Sequence, residues 1–235
     1  MAEFFIEIGS EEIPSSYIEP ALKFMKEEIS SFFSRNRIQA ENPKTMGTPR
    51  RLVLAVKGVT TIQKDYVEEF LGPGVSVAYD EKGQPTKAAM GFARGKGLDV
   101  ASLTRKKTPK GDVVCALIEN KGRSTSSLLN EYLPQLIDEI PFQKKMRWEN
   151  KTRSFARPLH WIAALFDGKA LEFEFDGIVS GMVSRGHRFL NPEKFKIKSL
   201  ESYLDECKQH SLVVDPETRK SSILEQVHQL SLIHI

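Results

Sequence analysis

This chain of 235 residues has little cysteine, little excess of either charge, and no long apolar run. Its two cysteines, Cys115 and Cys207, lie far apart and form no CxxC pair. That speaks against a disulfide framework and fits reduced thiols in a cytoplasmic protein. No apolar stretch approaches the roughly 18 residues that a spanning helix needs, so no membrane association is expected. The opening MAEFFIEIGSEEIP is acidic and lacks a basic segment followed by an apolar one, so it does not read as a secretory signal. With 34 basic and 31 acidic residues, the formal net charge is only +3. Global charge therefore says nothing about nucleic acid, and only local clustering can.

The motifs of common chemistries are missing too. Gly91, Gly95, Lys96 and Gly97 have the wrong spacing for a phosphate loop, and no Ser or Thr follows the lysine. The five histidines (His160, His187, His210, His228, His234) are scattered, with no HExxH, so no metal site is expected. His160, inside an apolar run, reads as a hydrogen-bonded core histidine. Ser10, Ser180 and Ser184 do not sit in a GxSxG elbow, and neither cysteine has the setting of an activated thiolate. Glu11-Glu12 offers two carboxylates for acid–base work, or simply a loop that favours a helix N-terminus.

What the chain does have is a core. Hydrophobic residues make up 40% of it, which argues against wholesale disorder. Glu3 to Ile8 reads as a strand. Ser15 to Ser34 reads as a helix with a stripe of Ile18, Leu22, Met25, Ile29 and Phe32, and Pro20 near its start. Arg50 to Val59 and Val67 to Leu71 read as strands, and Tyr79 to Pro85 as a turn. Thr86 is expected to cap a helix through Arg94 that Gly95 and Gly97 stop. Leu103 to Thr108 and Val113 to Glu119 suggest a hairpin about Lys110-Gly111. Ser124 to Ile140 is an amphipathic helix that Pro134 should kink. Leu159 to Phe166 and Ala170 to Phe175 suggest a hairpin about Asp167-Gly168. Ser199 to His210 reads as a helix, Leu212 to Val214 as a short strand, and Asp215-Pro216 as the start of a last helix through Leu230. There is no internal repeat or low-complexity linker. The irregular order implies an α+β fold, a mixed, mainly antiparallel sheet with packed helices. Two α+β regions are expected, 1–120 and 121–235, the second holding a basic stretch.

That stretch, Lys144 to Gly168 (KKMRWENKTRSFARPLHWIAALFDG), is the most telling in the chain. Lys144, Lys145, Arg147, Lys151 and Arg153 surround Trp148 before Arg157-Pro158 leads into the apolar run. A phosphate-facing edge held by a core would look like this, and so would a solvated loop before a core strand. Arg50-Arg51 and Arg185-Gly186-His187-Arg188 add further guanidinium groups, whose planar forks suit phosphate. The candidate RNA-binding residues are therefore Arg50, Arg51, Lys144, Lys145, Arg147, Arg153, Arg157, Arg185, His187 and Arg188. Glu149, Asp167 and Glu172 are acidic neighbours able to pair with them structurally instead.

Five stretches in order carry a resemblance: IEIGSEEIP (Ile6 to Pro14), TPRRL (Thr48 to Leu52), GQPTKAAMGFA (Gly83 to Ala93), MRWENKTRSFARPLHW (Met146 to Trp161) and RGHRFL (Arg185 to Leu190). Together they resemble the N-terminal part of the β-subunit family of bacterial glycine–tRNA ligase, from about residue 3 to residue 227. The resemblance implies a cytoplasmic enzyme of two α and two β subunits that attaches glycine to tRNA(Gly) with ATP and magnesium. It places the class II catalytic site, with ATP and magnesium, on the α subunit. The β subunit then serves tRNA binding and assembly, with no cofactor bound by this chain. Family members are much longer, so the chain reads as an N-terminal fragment without the family's helical anticodon-binding domain. Two other readings stay open: a hydrolytic or editing enzyme using Glu11, Glu12 or His187, and an interaction scaffold without RNA contact.

Overall fold

The computed structural model describes residues 1–109 and 111–233. In chain order the elements are β1 (Ala2–Ser10), α1 (Ser15–Arg35), β2 (Lys44–Thr48), β3 (Arg51–Val59), β4 (Tyr66–Gly74), α2 (Val75–Ala78), α3 (Lys87–Gly95), a 3-10 turn (Val100–Ser102), β5 (Thr104–Thr108), β6 (Gly111–Asn120), α4 (Thr125–Glu139), β7 (Leu159–Phe166), β8 (Lys169–Ala170), β9 (Glu174–Phe175), β10 (Ile178–Val179), β11 (Val183–Arg185), β12 (Lys194–Lys196), α5 (Leu200–Gln209) and α6 (Pro216–Ile233). The fold is α+β with antiparallel strand pairing, as the sequence implies.

The chain forms two compact units. One joins Met1–Gln63 to Arg123–Ile235, and the other is Lys64–Gly122. The sequence reading draws one line, between residues 120 and 121; the structure draws two, because the first sheet takes strands from both ends of the chain. The chain leaves and re-enters that unit at one place. There Gln63 N donates to Arg123 O at 3.0 Å, and Thr125 N to Thr61 O at 2.8 Å.

In the first unit a five-stranded sheet runs β2-β3-β1-β7-β8. β1 lies between β3 and β7, with Phe5 opposite Ala55 on one side and Leu165 on the other. Successive side chains of a strand alternate between faces, and both faces of this sheet are covered. Phe4, Ile6 and Ile8 pack with Met25, Ile29 and Phe32 of α1 and with Leu129, Leu133 and Ile137 of α4. Phe5 packs on the opposite face with Val53, Ala163, Phe195, Tyr203 and Cys207. Each such fully buried large apolar side chain contributes about 1.5–3 kcal/mol. α5 starts with a reciprocal cap: Ser202 N donates to Ser199 Oγ at 3.1 Å and Ser199 N to Ser202 Oγ at 2.9 Å.

The second unit is a three-stranded sheet, β4-β6-β5, with α2 and α3. Its core is small, built on Ala78, Ala89 and Val114. Thr86 stands at the N-cap of α3, but its hydroxyl donates to Val77 O at 2.7 Å instead of capping the helix. Lys110, in the turn expected between β5 and β6, lies outside the described residues.

Three further sequence expectations change, and one strand goes unforeseen. β2 was not legible, because KTMGT has one large apolar residue, Met46. The hairpin about Asp167-Gly168 forms, with both residues at positive φ (53° and 71°), but its second arm stays with β7 only through Lys169, Ala170 and the Leu171 amide, which donates to Ala164 O at 2.9 Å. Glu174 and Phe175 pair instead with Val179 and Ile178. Leu212 to Val214 form no strand; Val214 offers its carbonyl to Gly47 N at 3.2 Å and Leu212 fills the core. His160 is not a core residue, since it points outward from β7 between two buried neighbours.

Candidate nucleic-acid interface

The end of β1 is tied to two loops. Ser10 N donates to Arg50 O at 2.9 Å, Glu11 N to Pro158 O at 2.9 Å, and Ile13 N to Pro49 O at 2.6 Å. These bonds bring Glu11 to Arg50, ahead of β3, and to His160 of β7. The Glu11 carboxylate accepts from His160 Nε2 at 2.8 Å and from Arg188 Nη1 at 3.1 Å. Arg50 Nη2 lies 3.6 Å from the same carboxylate. The His160 hydrogen bond, with the Arg50 and Arg188 charges, holds the Glu11 carboxyl below the usual carboxylate range. Burial lowers the Arg50 pKa and the neighbouring Arg188 and Arg51 charges add to that, while Glu11 opposes it. Arg50 Nε is enclosed and has no hydrogen-bond partner among the described residues.

Around this point lies a cavity of about 270 Å³ lined by Glu11, Arg50, His160, Arg185, Arg188 and Pro192 together with Gly186. Three guanidinium groups face one carboxylate there, an excess of positive charge. Arg50 and Arg188 also wall a second cavity of about 600 Å³, where Pro49, Phe189, Leu212, Val213 and Ile223 supply apolar surface.

Arg51 must be removed from the candidates. It is 2% exposed and pairs with Glu7, also fully buried, at 3.1 Å. Both are enclosed because β1 and β3 place alternate side chains beneath α5. Burial raises the Glu7 pKa, against the Arg51 charge and the polar groups of Ser184, Trp161 and Tyr203. Among the described residues, Glu7 Oε2, Arg51 Nε, Trp161 Nε1, Ser184 Oγ and Tyr203 Oη have no partner at hydrogen-bond geometry. The Arg51 and Arg185 guanidinium groups lie 5.5 and 5.2 Å from the Trp161 ring centroid. Sequence reasoning placed Trp161 in the core but missed both cations, because strand pairing decides which residues share a face.

The rest of the basic stretch belongs to a different neighbourhood. Lys144, Lys145 and Arg147 are exposed, and Lys145 Nζ donates to Asp138 O at 2.6 Å. Arg153 pairs with Asp138 at 3.2 Å and lies over the Phe175 ring, 5.1 Å from its centroid. Arg157 Nη1 donates to Ala156 O at 2.9 Å. His187 caps a turn: its Nδ1 accepts from Phe189 N at 3.3 Å and Leu190 N at 3.2 Å. The structure thus brings Arg50, Arg185 and Arg188 together, and pairs Lys145 and Arg153 with Asp138. Glu11 joins the arginine cluster as an ionised, fully engaged carboxylate, which fits a structural anchor better than a general base. Among the described residues no group of three or more His, Cys, Asp or Glu is placed to hold a metal ion, and no helix is long and apolar enough to cross a membrane.

Comparison with known proteins gives these residues a context. A family model described as glycyl-tRNA synthetase beta subunit matches residues 4–234. The chain is similar to the glycine–tRNA ligase beta subunit of Geobacter metallireducens, 46% identical over 231 residues, covering 98% of this chain and 34% of that protein. It is likewise similar to the beta subunit of Geobacter sp. strain M21, 48% identical over 229 residues, with 97% of this chain and 33% of the relative covered. The chain therefore spans about a third of the length of the curated relatives it matches. A match across residues 4–234, with identities near one half, shows that the chain belongs to the glycyl-tRNA synthetase beta subunit family.

Proposed function

We propose that this chain is a non-catalytic, tRNA-holding portion of glycine–tRNA ligase, acting with an α subunit in an assembly of two α and two β subunits in the cytoplasm. The family match over residues 4–234 carries the reading. The excess of guanidinium groups over carboxylates around Glu11 supports it, since phosphate contacts need clustered, planar cations. On this reading ATP, magnesium and the class II chemistry belong to the α subunit. The β portion contributes position: holding the tRNA body raises the chance that its acceptor end occupies the active site.

The purified chain alone is expected to catalyse no glycine-dependent exchange of pyrophosphate with ATP. Exchange above a protein-free blank would reject the non-catalytic assignment.

The basic stretch gives a second test. Replacing Arg147, Arg153 and Arg157 together by glutamine should weaken tRNA binding and make it less sensitive to salt. Each lost phosphate contact flattens the plot of log affinity against log salt by about 0.7–0.9. Arg153 and Asp138 are both substantially exposed, so loss of that pair should change stability by less than about 1 kcal/mol. Filter binding across a salt series, with thermal melts of the single variants, checks this. A folded triple variant with parental affinity and slope removes these three residues from the interface.

A further inference from the structure

The loop after β11 presents an aromatic ring to solvent from a fixed support. Phe189 is 78% exposed and Leu190 72% exposed. The backbone beneath them is pinned at several points. Gly186 N donates to Glu193 O at 2.8 Å, Asn191 N to His187 O at 3.1 Å, and His187 N to His210 O at 3.1 Å. The His187 ring holds the amides of Phe189 and Leu190. Phe189 shares one cavity with the exposed Val213 and Ile223 beside Arg50 and Arg188, and contiguous apolar surface rimmed by polar groups marks a binding site where a lone exposed ring would not.

The surroundings indicate which ligand. Phe189 and the apolar residues Leu212, Val213 and Ile223 line one side of the wall made by Arg50 and Arg188. The cationic cavity around Glu11 lies on the other side. The Arg188 guanidinium sits 5.6 Å from the Phe189 ring centroid. The larger cavity, about 600 Å³, has the size of a small-ligand cleft, about 300–1,000 Å³. Apolar and aromatic surface beside guanidinium groups suits a base attached to a phosphate. An unstacked nucleotide offers both, whereas a duplex keeps its base faces covered.

We propose that Phe189 and the Arg50–Arg188 wall receive one unstacked nucleotide of a single-stranded RNA segment, the base on the Phe189 ring and its phosphate on the guanidinium groups. This rests on the tRNA-holding reading and narrows it to a single-stranded element. His187 acts as a positioning residue, through the loop amides it holds.

The test uses the full chain and three probes in fluorescence anisotropy: a short single-stranded RNA of mixed sequence, the same sequence as a blunt duplex, and tRNA. The expected results are preference for the single strand and, in Phe189→Ala, a loss of roughly 5- to 150-fold in its affinity, as for removal of one stacking platform. The salt slope of that variant should equal the parent's, because no phosphate contact is lost. Arg188→Gln should flatten the slope by about 0.7. Phe189→Trp should retain binding. Phe189→Leu keeps apolar surface without a π face and should lose binding as alanine does. Parental RNA affinity in Phe189→Leu, or equal binding of duplex and single strand, would each overturn the proposal in favour of another contact. If the parent binds tRNA but the Phe189 variants are unaffected, the nucleotide site falls and the tRNA-holding reading stands. If the parent binds neither tRNA nor oligonucleotide, both fall.

Discussion

Trp161→Ala is expected to destabilise the first unit by about 3–5 kcal/mol, the range for truncating a buried aromatic. Trp161 is 7% exposed, and its ring fills the space that Gly9 leaves open on the neighbouring strand. A Cβ on Gly9 would lie 2.0 Å from the ring, so the glycine is required by close approach and not by an unusual φ. The truncation also takes the aromatic face from Arg51 and Arg185, each such contact being worth about 0.5–2 kcal/mol. Gly9→Ala alone should cost at least about 1–3 kcal/mol through overpacking. In the Trp161→Ala background the same change should cost little, because the clash is gone. Urea unfolding of the four members of this cycle gives the coupling directly. Strictly additive effects would mean that Gly9 and Trp161 do not meet as described, and an unchanged midpoint for Trp161→Ala would place the ring on the surface.

Arg51→Met should have an effect of similar size and a particular pH dependence. Near neutral pH it leaves Glu7 buried without its partner at 3.1 Å, a situation that typically costs about 3–5 kcal/mol. Burial already raises the Glu7 pKa above its ordinary 4.5, and the Arg51 charge opposes that rise. Removing Arg51 therefore raises it further. Below the ordinary carboxylate value Glu7 is neutral in both the folded and unfolded states, and this contribution to stability is fully present. As pH rises past that value the unfolded chain ionises first. Stability then falls by about 1.4 kcal/mol per pH unit until the folded-state pKa is reached. The variant should thus be least impaired in mild acid and most impaired at alkaline pH. Burial raises the Tyr203 pKa well above its ordinary 10.0 and that of the Cys207 thiol from 9.0 to about 12, so both add their own loss of stability above those ordinary values, and the Glu7 slope is read below about pH 8 and against the parent. Adding Glu7→Gln should remove the extra pH slope and recover part of the loss. A penalty in Arg51→Met that is flat from acid to alkaline pH would show that Glu7 does not titrate in its burial site.

Several elements were legible in the residues because their signals are local. The stripe of Leu22, Met25, Ile29 and Phe32 fixes both the existence and the buried face of α1. The predominantly apolar character of β1 and β7, interrupted by Glu3 and Glu7 in one and His160 in the other, marks strands covered on both faces. Asp167-Gly168 sets its turn because two successive residues adopt positive φ there. The five family stretches are equally local, and they carried the assignment to the glycyl-tRNA synthetase beta subunit family without any contact being known.

The groupings of charge were not legible. Arg50 and Arg51 are neighbours with opposite fates, one at the rim of a cavity and the other beside Glu7 beneath α5. Adjacent side chains along a strand edge leave on opposite sides, and only the sheet's neighbours decide which side is buried. His160 looked internal because its neighbours are apolar, yet the same alternation turns it outward to Glu11. Arg188 reaches Glu11 across 177 positions of sequence, and no spacing rule foresees such a pair. The sequence by itself determined the periodicities, the turn and the family. The tertiary structure decided which cations stand together and which ring remains exposed, because those depend on strand order and loop closure between segments far apart in the chain.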